Sequence, residues 1–261
     1  MKYHKKILPR RLIYLYDLLS QLLIRELKLK YKRSVLGIAW TLINPLLKLI
    51  VFALIFRSVL TIETEHYAAF VFCGLLVWNW FQDSLTETSG IIVNSTSLIQ
   101  QPGFPLAILP IVVIMNGMIH FLLALPVLGI LLILEGVKIK LGIIIWLPIL
   151  MILQFILTIS LGYIFAAINV IFRDTQYTVG VLLQICFFLT PIFYDISNIE
   201  IPLIYNINPL VHLVTAYRNV LIQGVDPEWK ALGIIAIFSI TFLCFSQSYF
   251  RQQSHRFLEE L

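Results

Sequence analysis

The sequence predicts an all-α polytopic membrane protein with six transmembrane helices, and three observations carry this. Six long apolar stretches, at 35–60, 67–86, 105–134, 141–171, 177–194 and 231–250, are interrupted by few charges. A bilayer-crossing helix needs about 20 mostly apolar residues, so each stretch is long enough or nearly so. Hydrophobic residues make up 59% of the 261 and charged residues 13%, against the roughly 25% charged of a soluble domain. The longest polar segments are the first 34 residues and 195–230, which leaves no room for a water-soluble catalytic domain.

The N-terminal part divides off at residue 34. Residues 12–33 form an amphipathic interface helix. Leu12, Leu15, Leu19, Leu22, Leu23, Leu27 and Tyr31 recur at three- and four-residue steps. Asp17, Gln21, Arg25, Lys28 and Lys32 take the other face, with Glu26 and Lys30 paired four apart. Such a helix lies in the membrane plane with its cations toward anionic head groups. It is either a passive anchor or a docking surface for a cytoplasmic partner. Ten of the 19 Lys and Arg precede the first span: Lys2, Lys5, Lys6, Arg10, Arg11, Arg25, Lys28, Lys30, Lys32 and Arg33. The positive-inside tendency places that end in the cytoplasm. Six spans then return the tail 251–261, with Arg251 and Arg256, to the same side. No short apolar segment ends in a small-residue cleavage site, so no signal peptide is expected.

Residues 35–250 form the transmembrane domain. Within it, 87–104 is an inner loop in which Ser89–Gln100 can form a short helix, broken by Gln101-Pro102-Gly103-Phe104-Pro105. The fifth span is expected to run to Tyr194, with Pro191 three residues before its end. The segment 195–228 is too apolar for water and too broken, by Pro202 and Asn208-Pro209, to cross as one helix. A re-entrant helical hairpin before the last span fits both facts, as an outer gate or as a lid packing the bundle. Irregular backbone at that depth needs protein cover or a polar cavity.

Several chemistries find no residues. There is no G-x-x-x-x-G-K-[ST] loop and no H-E-x-x-H or Cys/His cluster. Cys73, Cys186 and Cys244 lie in three different spans and read as small core residues. Intramembrane polar residues are sparse: Asn44, Lys48, Asn116, His120, Gln154, Asn169 and Gln184. A charge at that depth is costly. Lys48 therefore either snorkels or pairs in the bundle, or attracts an anionic group passing through. Trp40, Trp78, Trp80 and Trp146 lie near expected interfaces. Phe and Tyr faces belong to belt, core or a pore where they could stack on sugars. Arg173-Asp174 reads as an ion pair or a helix cap.

Tyr31-Lys32-Arg33-Ser34-Val35-Leu36-Gly37-Ile38-Ala39-Trp40, followed by Asn44-Pro45-Leu46-Leu47, resembles the entry to the first span of polysaccharide-export permeases. These are the membrane subunits of type 2 ATP-binding-cassette transporters that export O-antigen, capsule or teichoic acid. Phe104-Pro105, Phe172-Arg173-Asp174, Thr190-Pro191-Ile192-Phe193-Tyr194, Asn208-Pro209 and Arg218 follow the same pattern in order.

The resemblance implies a multi-pass protein of the plasma (inner) membrane with both termini cytoplasmic. It implies a homodimer carrying two copies of a separate ATPase, which would hold the ATP and magnesium, with no cofactor on this chain. Coupling to that ATPase falls to Arg25, Lys28, Lys32, Arg33, Asn94, Leu98 and Gln100. The first and fifth spans would line a channel for a lipid-linked glycan, with Asn44, Lys48, Phe52, Phe187, Phe188 and Tyr194 as its candidate residues. Pro191, Asn208, Pro209 and Arg218 belong to the gate. Membrane lipids are further partners, and nucleic acid is not one. The chain departs from the family where cations often follow the Phe-Pro pair and end the coupling helix: here stand Leu106, Gln100 and Gln101. Attraction to the ATPase then shifts toward the N-terminal helix. The rival readings are an intramembrane transferase acting on lipid-linked sugars and a type 2 exporter of drugs or small lipids. Asp83 and Glu87 share an inner-face position, but no D-x₂-D-G-x₂-A-R-type cluster accompanies them.

Overall fold

The computed structural model describes residues 10–32, 37–59, 66–137, 140, 142, 145–194 and 207–257. Among these residues there are helices and no strands. They are α1 (Arg10–Tyr31), a 3-10 turn at Gly37–Ala39, α2 (Trp40–Val59), α3 (Tyr67–Asn94), α4 (Thr96–Ile99) and α5 (Ile108–Leu134). Then come α6 (Trp146–Ile171), α7 (Thr175–Phe188), α8 (Pro209–Arg218) with a π turn at Asn219–Gln223, and α9 (Trp229–Gln253). Helices α5, α6 and α9 are each long and apolar enough to cross a bilayer, and Leu42–Val51 and α7 are shorter apolar helices.

Helix α3 is the axis of the bundle, packing against α2, α5, α6, α7 and α8. That position explains its composition. Residues Val71–Trp78 are buried on every side, and Trp78 is 0% exposed. A helix hydrophobic all round belongs inside a bundle. Trp78 and Trp80 are therefore core residues, whereas the sequence placed them near an interface. Side-chain donors fasten the neighbours to α3: Trp80 Nε1 donates to the Ile114 carbonyl at 3.1 Å, and Gln154 Nε2 donates to the Val77 carbonyl at 2.9 Å.

Two boundaries differ from expectation. Helix α3 continues to Asn94 rather than ending at 86, and the separate short helix is only Thr96–Ile99, after a break at Ser95. Gly90 lies inside α3 with the Gln176 side-chain amide packed against it. Helix α7 ends at Phe188, not 194. Pro191 has no N–H to continue a helix, and Thr190–Tyr194 runs on as irregular backbone.

The core has two parts. Toward one end, Leu22 of α1, Ile92 of α3, Ile99 of α4, Ile108 of α5, Phe250 of α9 and Phe257 just after it form one cluster. The rest of the bundle shares the larger cluster around Trp78, Phe121 and Tyr217. Helix α1 thus docks its leucine face on the α5 side, as its periodicity predicts. At the opposite end Trp146 Nε1 donates to Asp226 at 3.0 Å, and the Trp146 and Trp229 rings meet edge-on at 4.2 Å.

Cys73 is buried, Cys186 half-buried and Cys244 exposed, all as free thiols. Cys244 is thus not the core residue expected, since among the described residues no helix covers its side of α9. Asp174 precedes α7, yet its side chain caps nothing, and the described residues include no ion pair between it and Arg173. The turn relies instead on Asn169 Oδ1, which accepts from the Gln176 N–H at 3.1 Å, and on the Thr175 hydroxyl, which donates to the Phe172 carbonyl at 2.6 Å.

Candidate functional site

Two regions gather the polar residues that the bundle does not need for packing. The first lies where α1 meets α3. The amphipathic period of α1 turns its leucines inward and leaves Arg25, Lys28 and Lys32 exposed, alongside Gln21, Ile24 and Leu29. Arg33 falls outside the described residues. Lys30 does not pair with Glu26. It reaches Glu87 of α3 instead, Nζ to Oε1 at 2.8 Å. Asn94 and Gln100 are exposed and Leu98 is half-buried beside the fully packed Ile99. The basic face of α1 and the α4 turn therefore lie at the same end of the molecule, joined through one apolar cluster.

Between α1, α2, α3 and α5 lies a cavity of about 300 Å³, lined by Lys30, Asn44, Asn79, Asp83, Ser84, Glu87 and His120 among others. Lys48, one turn after Asn44, donates to Asn79 Oδ1 at 3.1 Å. Its charge is thus held by a neutral amide of α3, and Asn44 and Lys48 both work on the α3 side of α2. The side chain of Phe52 is outside the described part.

The second region is the broken end of α7. Phe187 turns into the core against Trp78, centroids 5.5 Å apart, and Phe193 closes on it at 5.4 Å. Phe188 points the other way and is 68% exposed. The Tyr194 hydroxyl donates to the Phe188 carbonyl at 3.0 Å, folding the irregular stretch back on the helix end. The aromatic candidates thus divide between core and outside, and Asn44 and Lys48 are not among them.

The gate candidates do come together. Asn208 is the N-cap of α8, its Oδ1 accepting from the Leu210 N–H at 3.0 Å, with Pro209 in the first turn. Its Nδ2 donates to the Thr190 hydroxyl at 3.3 Å. At the far end of α8, Arg218 is 5% exposed and donates to three carbonyls: Pro191 at 2.7 Å, Ile192 at 2.8 Å and Phe70 at 3.2 Å. Its guanidinium also lies 3.4 Å from the Phe70 ring centroid. A planar five-donor group suits this task, since irregular backbone leaves carbonyls pointing in several directions. Gly74 makes room, because a Cβ there would stand 2.8 Å from Arg218 Nη2. Residues 195–206, the first arm of the expected hairpin, lie outside the described residues.

Sequence reasoning missed Glu135. Its two carboxylate oxygens accept from the Ala68 and Ala69 N–H groups, at 3.1 and 3.3 Å, at the N-terminus of α3. A carboxylate there meets unpaired donors and the positive end of the helix dipole. A lone acid just past a long apolar span was the available signal.

The family described as ABC-2 type transporter matches residues 17–222. The chain is 33% identical over 258 residues to an O-antigen export system permease protein of Myxococcus xanthus, covering 97% of this chain and 99% of that one. It is 30% identical over 250 residues to an O-antigen export system permease protein of Klebsiella pneumoniae, covering 95% and 96%. A polysialic acid transport protein of Escherichia coli is 23% identical over 257 residues, at 91% and 93%. The match takes in both regions, from the α1 face through α8, and the chain belongs to the ABC-2 type transporter family.

Proposed function

We propose that this chain is the permease subunit of an ATP-driven exporter that moves a lipid-linked polysaccharide across the plasma membrane. The observation that carries the reading is similarity over almost the whole length to O-antigen export permeases, with no large segment added or lost. In this reading two copies, each of six spans with both termini cytoplasmic, enclose the channel. Each copy carries one partner ATPase, on which ATP and magnesium are bound.

The geometry supports a route for the force. The exposed cations of α1 offer an acidic or polar partner a docking face, and Lys30–Glu87 connects α1 to the central helix. Helix α3 in turn touches Arg218 through the Phe70 carbonyl, and Arg218 holds the end of α7. A push on α1 therefore reaches the α7–α8 region through packed helices and four polar contacts. Exposed apolar side chains on α2 (Leu47, Ile50, Val51) and α7 (Val181, Leu182, Ile185) suit a second copy or lipid.

Deleting the chain in its host, with surface glycan and intracellular lipid-linked glycan assayed together, tests the reading. Loss from the surface with accumulation inside is expected. Loss of both pools overturns it in favour of a transferase. Lys48→Glu is expected to stop export while leaving assembly intact, and unchanged export removes Lys48 from the pathway.

A further inference from the structure

We propose that the cavity between α1, α2, α3 and α5 seats the head group of one membrane phospholipid, a zwitterion whose primary ammonium meets Asp83 and whose phosphate meets the amide and lysine N–H groups around it. The site concerns a resident lipid and does not depend on what the chain transports.

Helix α3 is buried on every side from Val71 to Trp78, but its next turns open one face. Asn79, Asp83 and Glu87, four residues apart, line the cavity, and Asp83 and Glu87 are exposed. The stripe climbs about 12 Å along the helix. Across from it α2 presents Trp40 and Asn44, both exposed. The α5 wall runs from Val113 to Ala124, inside a helix long and apolar enough to cross a bilayer. The cavity therefore lies within the depth of the bilayer, where a charge is costly unless answered. Its volume of about 300 Å³ suits a head group but not acyl chains, being at the small end of ligand pockets.

The charges around it balance. Glu87, Lys30 and Lys48 are the charged groups whose fields reach Asp83, which makes two cations against two carboxylates. Lys30 is held by Glu87 at 2.8 Å, and Lys48 by Asn79 Oδ1 at 3.1 Å. Asp83 forms no hydrogen bond or ion pair with any described residue. A ligand of no net charge keeps this balance, whereas an anionic head group brings a phosphate beside Asp83 with no cation of its own. A primary ammonium offers Asp83 three donors and a trimethylammonium offers none, so ethanolamine fits and choline does not. The phosphate can accept from the Asn44 amide, from Asn79 Nδ2 and from the remaining N–H groups of the two lysines.

A phosphate ester carrying a primary amine could equally be free phosphoethanolamine. The surface beside the cavity favours a lipid. Leu47 and Val51, three and seven residues after Asn44, share its side of α2 and are exposed. They offer an acyl chain a path out of the cavity, and Trp40 at its rim suits a membrane interface.

The test places the full-length chain in nanodiscs of dioleoyl phosphatidylethanolamine, phosphatidylcholine and phosphatidylglycerol in equal parts. Native mass spectrometry reads the lipid that stays on the protein. The ethanolamine lipid is expected to be retained over the other two, and stepwise N-methylation of its head group should weaken retention as donors are removed. Asp83→Asn should lower the preference over choline about tenfold, the loss of one charge-assisted hydrogen bond. Glu228→Gln, at the other end of the bundle, should leave it unchanged. If Asp83→Asn does not fold, Asn44→Leu and the methylation series on the parent carry the comparison. Equal retention of the choline lipid, preference for the glycerol lipid, or a preference unmoved by Asp83→Asn overturns the proposal. Displacement of the lipid by free phosphoethanolamine at matched concentration assigns the cavity to a soluble ligand and overturns it as well.

Discussion

Lys30 of the amphipathic helix and Glu87 of the central helix form an ion pair of 2.8 Å across 57 positions of sequence. Both side chains are partly exposed, 39% and 46%. Such a pair contributes little to stability, about 0.2–1 kcal/mol; in the proposed export reading it serves to couple α1 to α3. It links the helix offered to a partner with the helix that touches nearly every other.

Reversing either charge, Lys30→Glu or Glu87→Lys, is expected to lower export several-fold while moving the melting temperature little. The double reversal is expected to recover most of the loss. Export and thermal melting of the four proteins decide it, and a double reversal no better than the singles removes the coupling role.

Arg218→Ala removes three charge-assisted hydrogen bonds to backbone carbonyls and is expected to destabilise the protein by roughly 3 kcal/mol or more. Arg218→Lys keeps the charge but not the fork and should recover only part of this. Gly74→Ala should act on the same contact from the other side, costing about 1–3 kcal/mol as the guanidinium is displaced. Thermal melting in detergent, with the double variant Gly74→Ala/Arg218→Ala less than additive, checks the assignment.

Glu135→Gln weakens the carboxylate at the start of α3 and is expected to cost about 0.5–1 kcal/mol. Glu135→Ala also removes the acceptors and should cost about 1–2 kcal/mol. Equal melting of both variants and the parent would falsify the capping role.

Asn208 performs two tasks that substitution can separate. Asn208→Asp keeps the α8 cap and loses the donor to Thr190, whereas Asn208→Ala loses both, at about 1 kcal/mol for the cap. Export that falls in both variants, with stability lost chiefly in Asn208→Ala, assigns the Thr190 contact to the gate.

Arg25→Glu with Lys28→Glu changes an exposed face and is expected to leave stability within about 0.5 kcal/mol. Co-purification of the partner ATPase should be lost. Retained ATPase at wild-type ratio shows that α1 docks elsewhere.

The sequence alone determined the elements whose signals are local. The leucine period at three- and four-residue steps placed α1 within two residues of its observed bounds, and the break expected at Asn208-Pro209 falls where α8 begins. The long apolar stretches marked the helices of the bundle. Where a boundary depended on something distant, local signals misled: the second span was expected to end at 86, but α3 runs on to Asn94, packed at Gly90 against Gln176.

The tertiary structure decided which polar residues meet. Lys30 has an acceptable local partner in Glu26 and takes Glu87 instead, and no periodicity could rank those two. Arg218 and Phe70 are 148 positions apart, and Glu135 caps a helix that begins at Tyr67. Local propensity acts over one or two turns, whereas a buried donor or carboxylate is satisfied by whatever the folded bundle brings within about 3 Å of it.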